Sequence, residues 1–279
     1  MGVVNITPDS FSDGGQYFEP ELAVAHALRL LDEGADLLDL GAESTRPGSR
    51  AGDLEATAVS ADEEQARLLP VLEAVLKASP KALISVDTYK SATARAAVTA
   101  GAQIVNDVSG FTWDPKMAAV CADLGCGVVL MHTRGRPEEW HAQSALEKGA
   151  VLPLVHEGLS RSLDAALKAG IARETIVLDP GYGFGKRLDE NYDLLLRQAD
   201  LLVLGCPLLA GVSRKSFLVR TLSSSGIFAG THVDEDARET ASIAAQTAAI
   251  LHGASIIRVH RVSAAVRAAA IADALLAMC

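Results

Sequence analysis

Eight times along this chain a short apolar run stops at polar residues and gives way to an amphipathic stretch of helical length. The runs occupy residues 2–6, 37–40, 83–86, 104–105, 127–131, 176–178, 207–212 and 255–259. Helical periodicity follows them at 21–34, 62–77, a stretch ending at 101, 116–124, 151–169, 191–199, 239–252 and 264–278. In the first of these, Leu22, Ala25, Leu28 and Leu31 share one face and Gly34 supplies the stop. Apolar strands separated by helices call for a parallel sheet, because each crossover returns the chain to the same end. Eight such units in 279 residues fit one closed (β/α)8 TIM barrel, a single α/β domain spanning 1–279. The alternative is a doubly wound sheet, which usually carries a glycine fingerprint after its first strand; GVVNITPDS at 2–10 has none.

Composition narrows the function. With 49% apolar residues the chain can bury a large core, and no low-complexity linker divides it. A net charge of −10 argues against a nucleic-acid or anionic-membrane surface, though not against one small anion held by local cations. No apolar run approaches the roughly 20 residues that span a bilayer. No basic leader precedes an apolar core segment, so a cytoplasmic protein is expected. The cysteines, Cys121, Cys126, Cys206 and Cys279, form no C-x-x-C pair and are expected as free thiols in a reducing compartment.

The most informative stretch is TIVLDPGYGFGK, residues 175–186. An apolar strand ends in Asp179, and Gly181, Gly183 and Gly185 then alternate with Tyr182 and Phe184 before Lys186. Glycines there let backbone approach a ligand, and the two rings offer stacking surfaces. A single Asp after a strand is more often a helix cap than a catalyst. In a barrel, however, every strand ends at one mouth, so Asn5, Glu43, Asp87, Asn106, His132, Asp179, Lys215 and His260 are expected to converge. So many polar groups are costly to bury together unless they are paired or serve a ligand.

The converging residues divide by chemistry. Asp87, Asn106 and Asp179 suit a heterocycle that displays amine and ring N–H donors. Arg46, Lys215, Arg258 and His260 suit a phosphate or carboxylate, and residues 213–216, SRKS, add hydroxyls and backbone N–H groups at a helix start. Together they point to a bicyclic heterocycle carrying a phosphate leaving group.

Seven motifs, MGVVNITPDSFSDGG, ESTRPGS, SVDTYK, VNDVSG, LDPGYGFGK, GVSRKS and IRVH, lie on successive strands. In that order they resemble the dihydropteroate synthase family of pterin-binding enzymes over nearly the whole chain. The resemblance implies transfer of a dihydropterin methyl group from its pyrophosphate to p-aminobenzoate, with Mg²⁺ as cofactor and a homodimer as the assembly. Asp87, Asn106, Asp179 and Lys215 would hold the pterin; Arg258 would stack on it and His260 would meet the pyrophosphate. Asn5 would contact the Mg²⁺–pyrophosphate group. Thr45, Arg46 and Pro47 would lie on a mobile second loop, and Phe184 and Ser216 would touch p-aminobenzoate. Asp87, Asp179, Lys215, Arg258 and His260 are thus the expected catalytic set. Loops 9–15 and 44–49, rich in Gly, Ser and Pro, are expected to close only over the pterin pyrophosphate.

Three features depart from the family's pattern. Its members carry a further short segment before the first strand, whereas Met1 falls inside that segment here; Arg261 follows His260 where an acid is common; and Arg134 and Arg136 add charge after the fifth strand, with no role assigned. Two other functions share the acidic tips. A methyltetrahydrofolate-dependent methyltransferase would lack the SRKS and ESTRPG elements and need a corrinoid partner. A non-catalytic pterin-binding relative would have lost the cationic cluster.

Overall fold

The computed structural model describes residues 1–7, 20–45, 49, 51–52, 58–226 and 233–278. Its strands are β1 (Gly2–Asn5), β2 (Leu37–Gly41), β3 (Leu83–Asp87), β4 (Ile104–Asp107), β5 (Gly127–Met131), β6 (Ile176–Asp179), β7 (Leu208–Ala210) and β8 (Ala254–Ile257). They form one sheet in sequential order, and every named pair is parallel. Beyond β8 the chain closes the ring: Val3 N–H donates to Val259 O at 3.0 Å and Val259 N–H donates to Met1 O at 2.9 Å. The expected TIM barrel is therefore the observed one.

Alternation along each strand decides what is wet and what is dry. Outward residues such as Val4, Leu38, Ile84, Val105, Leu130 and Leu178 are buried under the helices. Inward residues Met1, Val129 and Leu209, with Leu37, Ile104, Val177 and Ile256, fill the lower interior. One pleat higher the interior turns polar at Asp39 and Ser85, which are register partners and fully buried. At the upper rim Asn5, Gly41, Asp87 and Asn106 lie in register on β1 to β4, and Met131 pairs with Asp179 on β5 and β6. Asn106 pairs with Val129, one pleat below Met131, so the register aligns the first four tips, and the tilt of strands in a closed ring brings Asp179 to the same mouth.

Nine helices occur among the described residues: α1 (Pro20–Asp32), α2 (Ala61–Ala78), α3 (Ser91–Thr99), α4 (Met117–Leu124), α5 (Val151–Ala169), α6 (Leu188–Arg197), α7 (Ser216–Ser224), α8 (Glu235–Leu251) and α9 (Val262–Leu276). Helix α5 has the predicted limits. Helix α8 begins four residues before the predicted start, because the Asp234 side chain accepts from Ala237 N–H at 2.8 Å and caps it there. Helix α7 is marked in the sequence only by its start; its short buried face, Phe217 and Leu218, gives little periodicity to read. Cys121, Cys126 and Cys206 are buried free thiols as expected, while Cys279 lies outside the described residues.

Candidate active site

The centre of the mouth is an ionic network that starts one pleat below the rim. Asp39, fully buried on β2, accepts from Arg258 Nε at 2.6 Å and from Asn106 Nδ2 at 3.0 Å. Arg258 also donates through its Nη2 to Asp87 Oδ2 at 2.8 Å. The guanidinium therefore forks between two strands, matching two carboxylates in a way an ammonium could not. Asp39 is absent from the residues expected from sequence. Its signal is nevertheless present: an Asp inside the apolar run LLDLG, in phase with the inward residue Gly41.

Above this network lies a cleft lined by Asp87, Asn106, Asp179, Lys215 and Arg258, with Val108, Met131, Tyr182, Phe184 and Gly211 as its remaining walls. Polar groups therefore edge an apolar slot, the form that holds a flat heterocycle. The glycine-rich turn shapes one side. Asp179 Oδ1 accepts from Gly181 N–H at 2.7 Å, leaving Oδ2 on the side of Gly211. Gly181 has φ +72°, and a β-carbon there would lie 1.9 Å from the carbonyl oxygen of His132, so no other residue fits. Phe184, further along the turn, stands edge-on to Trp140 at 5.0 Å, with Lys215 Nζ 3.9 Å from its ring centre.

Several expected site residues are brought together and others are not. Asp87, Asn106, Asp179, Phe184, Lys215 and Arg258 share the cleft. His260, two residues beyond Arg258, has its Nδ1 3.0 Å from Ser213 Oγ, so the imidazole and the first SRKS hydroxyl meet. Ser216 opens α7 with its residue exposed; Asn5, the last residue of β1, and Thr45, beyond β2, are half-buried. Arg46, Pro47 and residues 9–15 lie outside the described residues.

Two strand tips do not face the ligand cleft. Glu43 is paired with Lys90, which also reaches Glu64 at 3.2 Å, a network behind the rim. His132 turns its ring against α5, where a β-carbon on Gly158 would lie 2.4 Å from its Cδ2. Burial, with Lys186 and Arg134 adding repulsion, holds this imidazole far below its usual range, at about 2, so it stays neutral. Arg134 braces two loops, because its Nη1 donates to Gly185 O and its Nη2 to Ser144 O, each at 3.2 Å. Arg136 lies over the Trp113 ring at 5.5 Å, and Arg261 precedes α9 on the exposed surface.

Asp87 and Asp179 thus share the cleft with Lys215 and Arg258, while Asp39 lies beneath it and Lys186 behind the glycine-rich turn. Burial pushes Asp179 up and lowers Lys215 to about 7 against the pull of Asp179. Asp87 rises to about 7 through burial, which outweighs the opposing attraction of Arg258. An unfolded aspartate ionises near about 3.9. Between these values the folded protein keeps a proton that the unfolded chain has released, so Asp87 removes stability as pH rises from about 4 to about 7. Asp87→Asn cannot ionise. Wild-type stability measured against this variant should therefore fall across that window, by on the order of 4 kcal/mol. Urea midpoints at successive pH values check this; a constant difference would mean that Arg258 keeps Asp87 ionised throughout.

Comparison with known proteins bears directly on this geometry. The sequence profile of the family described as pterin binding enzyme matches residues 1–260. The dihydropteroate synthase of Bacillus subtilis (strain 168) is 40% identical over 276 residues, covering 99% of this chain and 88% of that protein. The solved structure of Xanthomonas albilineans dihydropteroate synthase with 4-aminobenzoic acid has a TM-score of 0.85 at 41% identity, covering 99% of this chain and 92% of that one. The same enzyme in complex with 7,8-dihydropteroate has a TM-score of 0.82 at 38% identity, again covering 99% and 92%. The matched profile runs from Met1 to His260, the interval that holds every strand and every tip residue described above, and the chain belongs to the family of pterin-binding enzymes.

Proposed function

We infer that this chain joins p-aminobenzoate to 6-hydroxymethyl-7,8-dihydropterin pyrophosphate, releasing pyrophosphate and giving 7,8-dihydropteroate on the folate route. One observation carries the reading: an acceptor-rich edge of Asp87, Asn106 and Asp179 borders an apolar slot, with Lys215, Arg258 and the Ser213–His260 pair beside it. The acceptors match the amine and ring N–H groups of a pterin, and Val108 and Met131 match its flat faces. Lys215 and Arg258 would meet the ring's acceptor side and its face.

The chemistry needs no protein nucleophile. Departure of pyrophosphate leaves a CH₂ cation conjugated with the ring, and the arylamine captures it. Asp87 and Asp179 would stabilise positive charge spreading into the ring through its N–H donors. His260, Ser213 and Arg46 would hold the departing anion. Phe184 and Ser216 would orient p-aminobenzoate, whose amine must approach the carbon within near-attack distance. Thr45 and Pro47 belong to the loop expected to shelter this step.

Among the described residues no cluster of three or more His, Cys, Asp or Glu could cage a metal. The single hard oxygen of Asn5 fits instead a Mg²⁺ that keeps water and phosphate as its other ligands. When bound, Mg²⁺ would offset charge on the leaving group. A cytoplasmic homodimer is in keeping with the buried free thiols and with exposed Ile271, Leu275 and Met278 at the α9 end. No helix among the described residues is long and apolar enough to cross a membrane.

Mixing the protein with the dihydropterin pyrophosphate, p-aminobenzoate and Mg²⁺ should release one pyrophosphate per dihydropteroate formed. No release, or methyl transfer to a corrinoid instead, would contradict the reading. Binding should also be ordered. If the leaving group helps build the second site, p-aminobenzoate should bind the empty protein at least about tenfold more weakly than the protein holding pterin and pyrophosphate. Calorimetry decides this, and equal affinity in both states would exclude it.

A further inference from the structure

Lys186 is buried, yet no carboxylate lies within ion-pair distance of it among the described residues. Its ammonium instead donates to the carbonyl oxygens of Gly181 at 2.7 Å, His132 at 3.2 Å and Phe184 at 3.5 Å. Three N–H donors thus meet three carbonyls, two on the glycine-rich turn and one on the chain leaving β5. Asn191 secures the same turn from α6: its Oδ1 accepts from Gly183 N–H at 2.7 Å and its Nδ2 donates to Lys186 O at 3.0 Å. Burying an ammonium is costly without a contacting counter-ion, and burial lowers Lys186 to about 7 despite the attraction of Asp179. Such a cost is retained where the backbone carbonyls have to be held in one arrangement.

We propose that Lys186 is a positioning residue: by tying Gly181, Phe184 and His132 together, it fixes the turn so that Phe184 faces Lys215 at the place of the second substrate. The strand end that carries Asp179 is set by the β6 ladder, and its carboxylate accepts from Gly181 N–H and makes no hydrogen bond to Lys186, whose charge reaches it only through a longer-range attraction. The geometry therefore separates two functions within one motif. Asp179 serves the heterocycle, and Lys186 serves the aryl partner through Phe184. This assignment rests on the reading that Phe184 contacts p-aminobenzoate.

The test is Lys186→Met, which keeps the length of the side chain and removes all three donors. Its KM for p-aminobenzoate should rise about tenfold or more, while calorimetric affinity for the bare pterin stays within about threefold. A residue that only supports the fold would lower the melting temperature without dividing the two substrates. Equal loss for both substrates, or no change in either, overturns the proposal. Should Lys186→Met fail to fold, Asn191→Ser removes the other tie to the same turn and must show the same division; if it does not, the proposal is equally overturned. Turnover by the wild-type protein tests the reading of the reaction separately. A further readout needs no turnover: in a Trp113→Phe background the emission of Trp140, which stands edge-on to Phe184, should shift in Lys186→Met. An unshifted spectrum means the turn has not moved and contradicts the positioning role whatever the reaction is.

Discussion

Asp39→Ala should destabilise the protein by about 3–5 kcal/mol and abolish measurable pterin binding. Asp39 is at the bottom of the mouth, fully buried, and holds Arg258 at 2.6 Å and Asn106 at 3.0 Å. Removing it leaves the Arg258 guanidinium with Asp87 as its remaining carboxylate contact among the described residues. Loss of one partner from a buried pair is costly because the other charge stays desolvated. The Asn106 amide loses its acceptor as well, so an expected pterin contact is freed to rotate. Asp39→Asn keeps the volume and one acceptor oxygen, and should fall between wild type and the alanine variant. Urea denaturation and calorimetric titration of the pterin read the two effects. A stability loss below about 1 kcal/mol, the level of a surface pair, would mean that the network does not organise the mouth.

The second large effect is expected at the opposite side of the cleft. Asp179→Asn should weaken pterin binding by roughly 1.5–3 kcal/mol, about ten- to a hundredfold. The fold should survive, because an amide oxygen can still accept from Gly181 N–H, now bonded to Asp179 Oδ1 at 2.7 Å. The other carboxylate oxygen is replaced by an amide that can only donate, and it would face the ring's own donors. Binding of p-aminobenzoate to the ternary-like state should change far less. Unchanged pterin affinity in this variant would remove Asp179 from the ring's contacts.

These two residues also mark what is legible in the sequence. Asp179 is legible because it ends an apolar run and opens a turn of alternating glycines, so its place at the mouth follows from the repeat alone. Asp39 is not, because it lies inside a strand, where a polar residue reads as an interruption. Only the closed ring makes its inward phase meaningful, bringing Arg258 to it from the far end of the chain. His132 and Glu43 show the reverse error. Both follow strand ends, but a strand tip fixes height on the barrel and not which way the next side chain turns. Packing against Gly158 and pairing with Lys90 decide those directions. The eight-fold repeat, by contrast, specifies the fold through local patterning, and helix limits are misplaced chiefly where a cap such as Asp234 lies upstream of the apolar face.

The central claim is that the acceptor edge of Asp87, Asn106 and Asp179 binds the donor groups of a pterin ring. It is tested most directly by nuclear magnetic resonance of the bare ¹⁵N-labelled pterin bound to the wild-type protein. Its ring N–H and amine protons should move downfield and exchange slowly with water at saturation, and Asp179→Asn should reverse both changes. Ring protons that exchange as freely in the saturated complex as in solution would contradict the account.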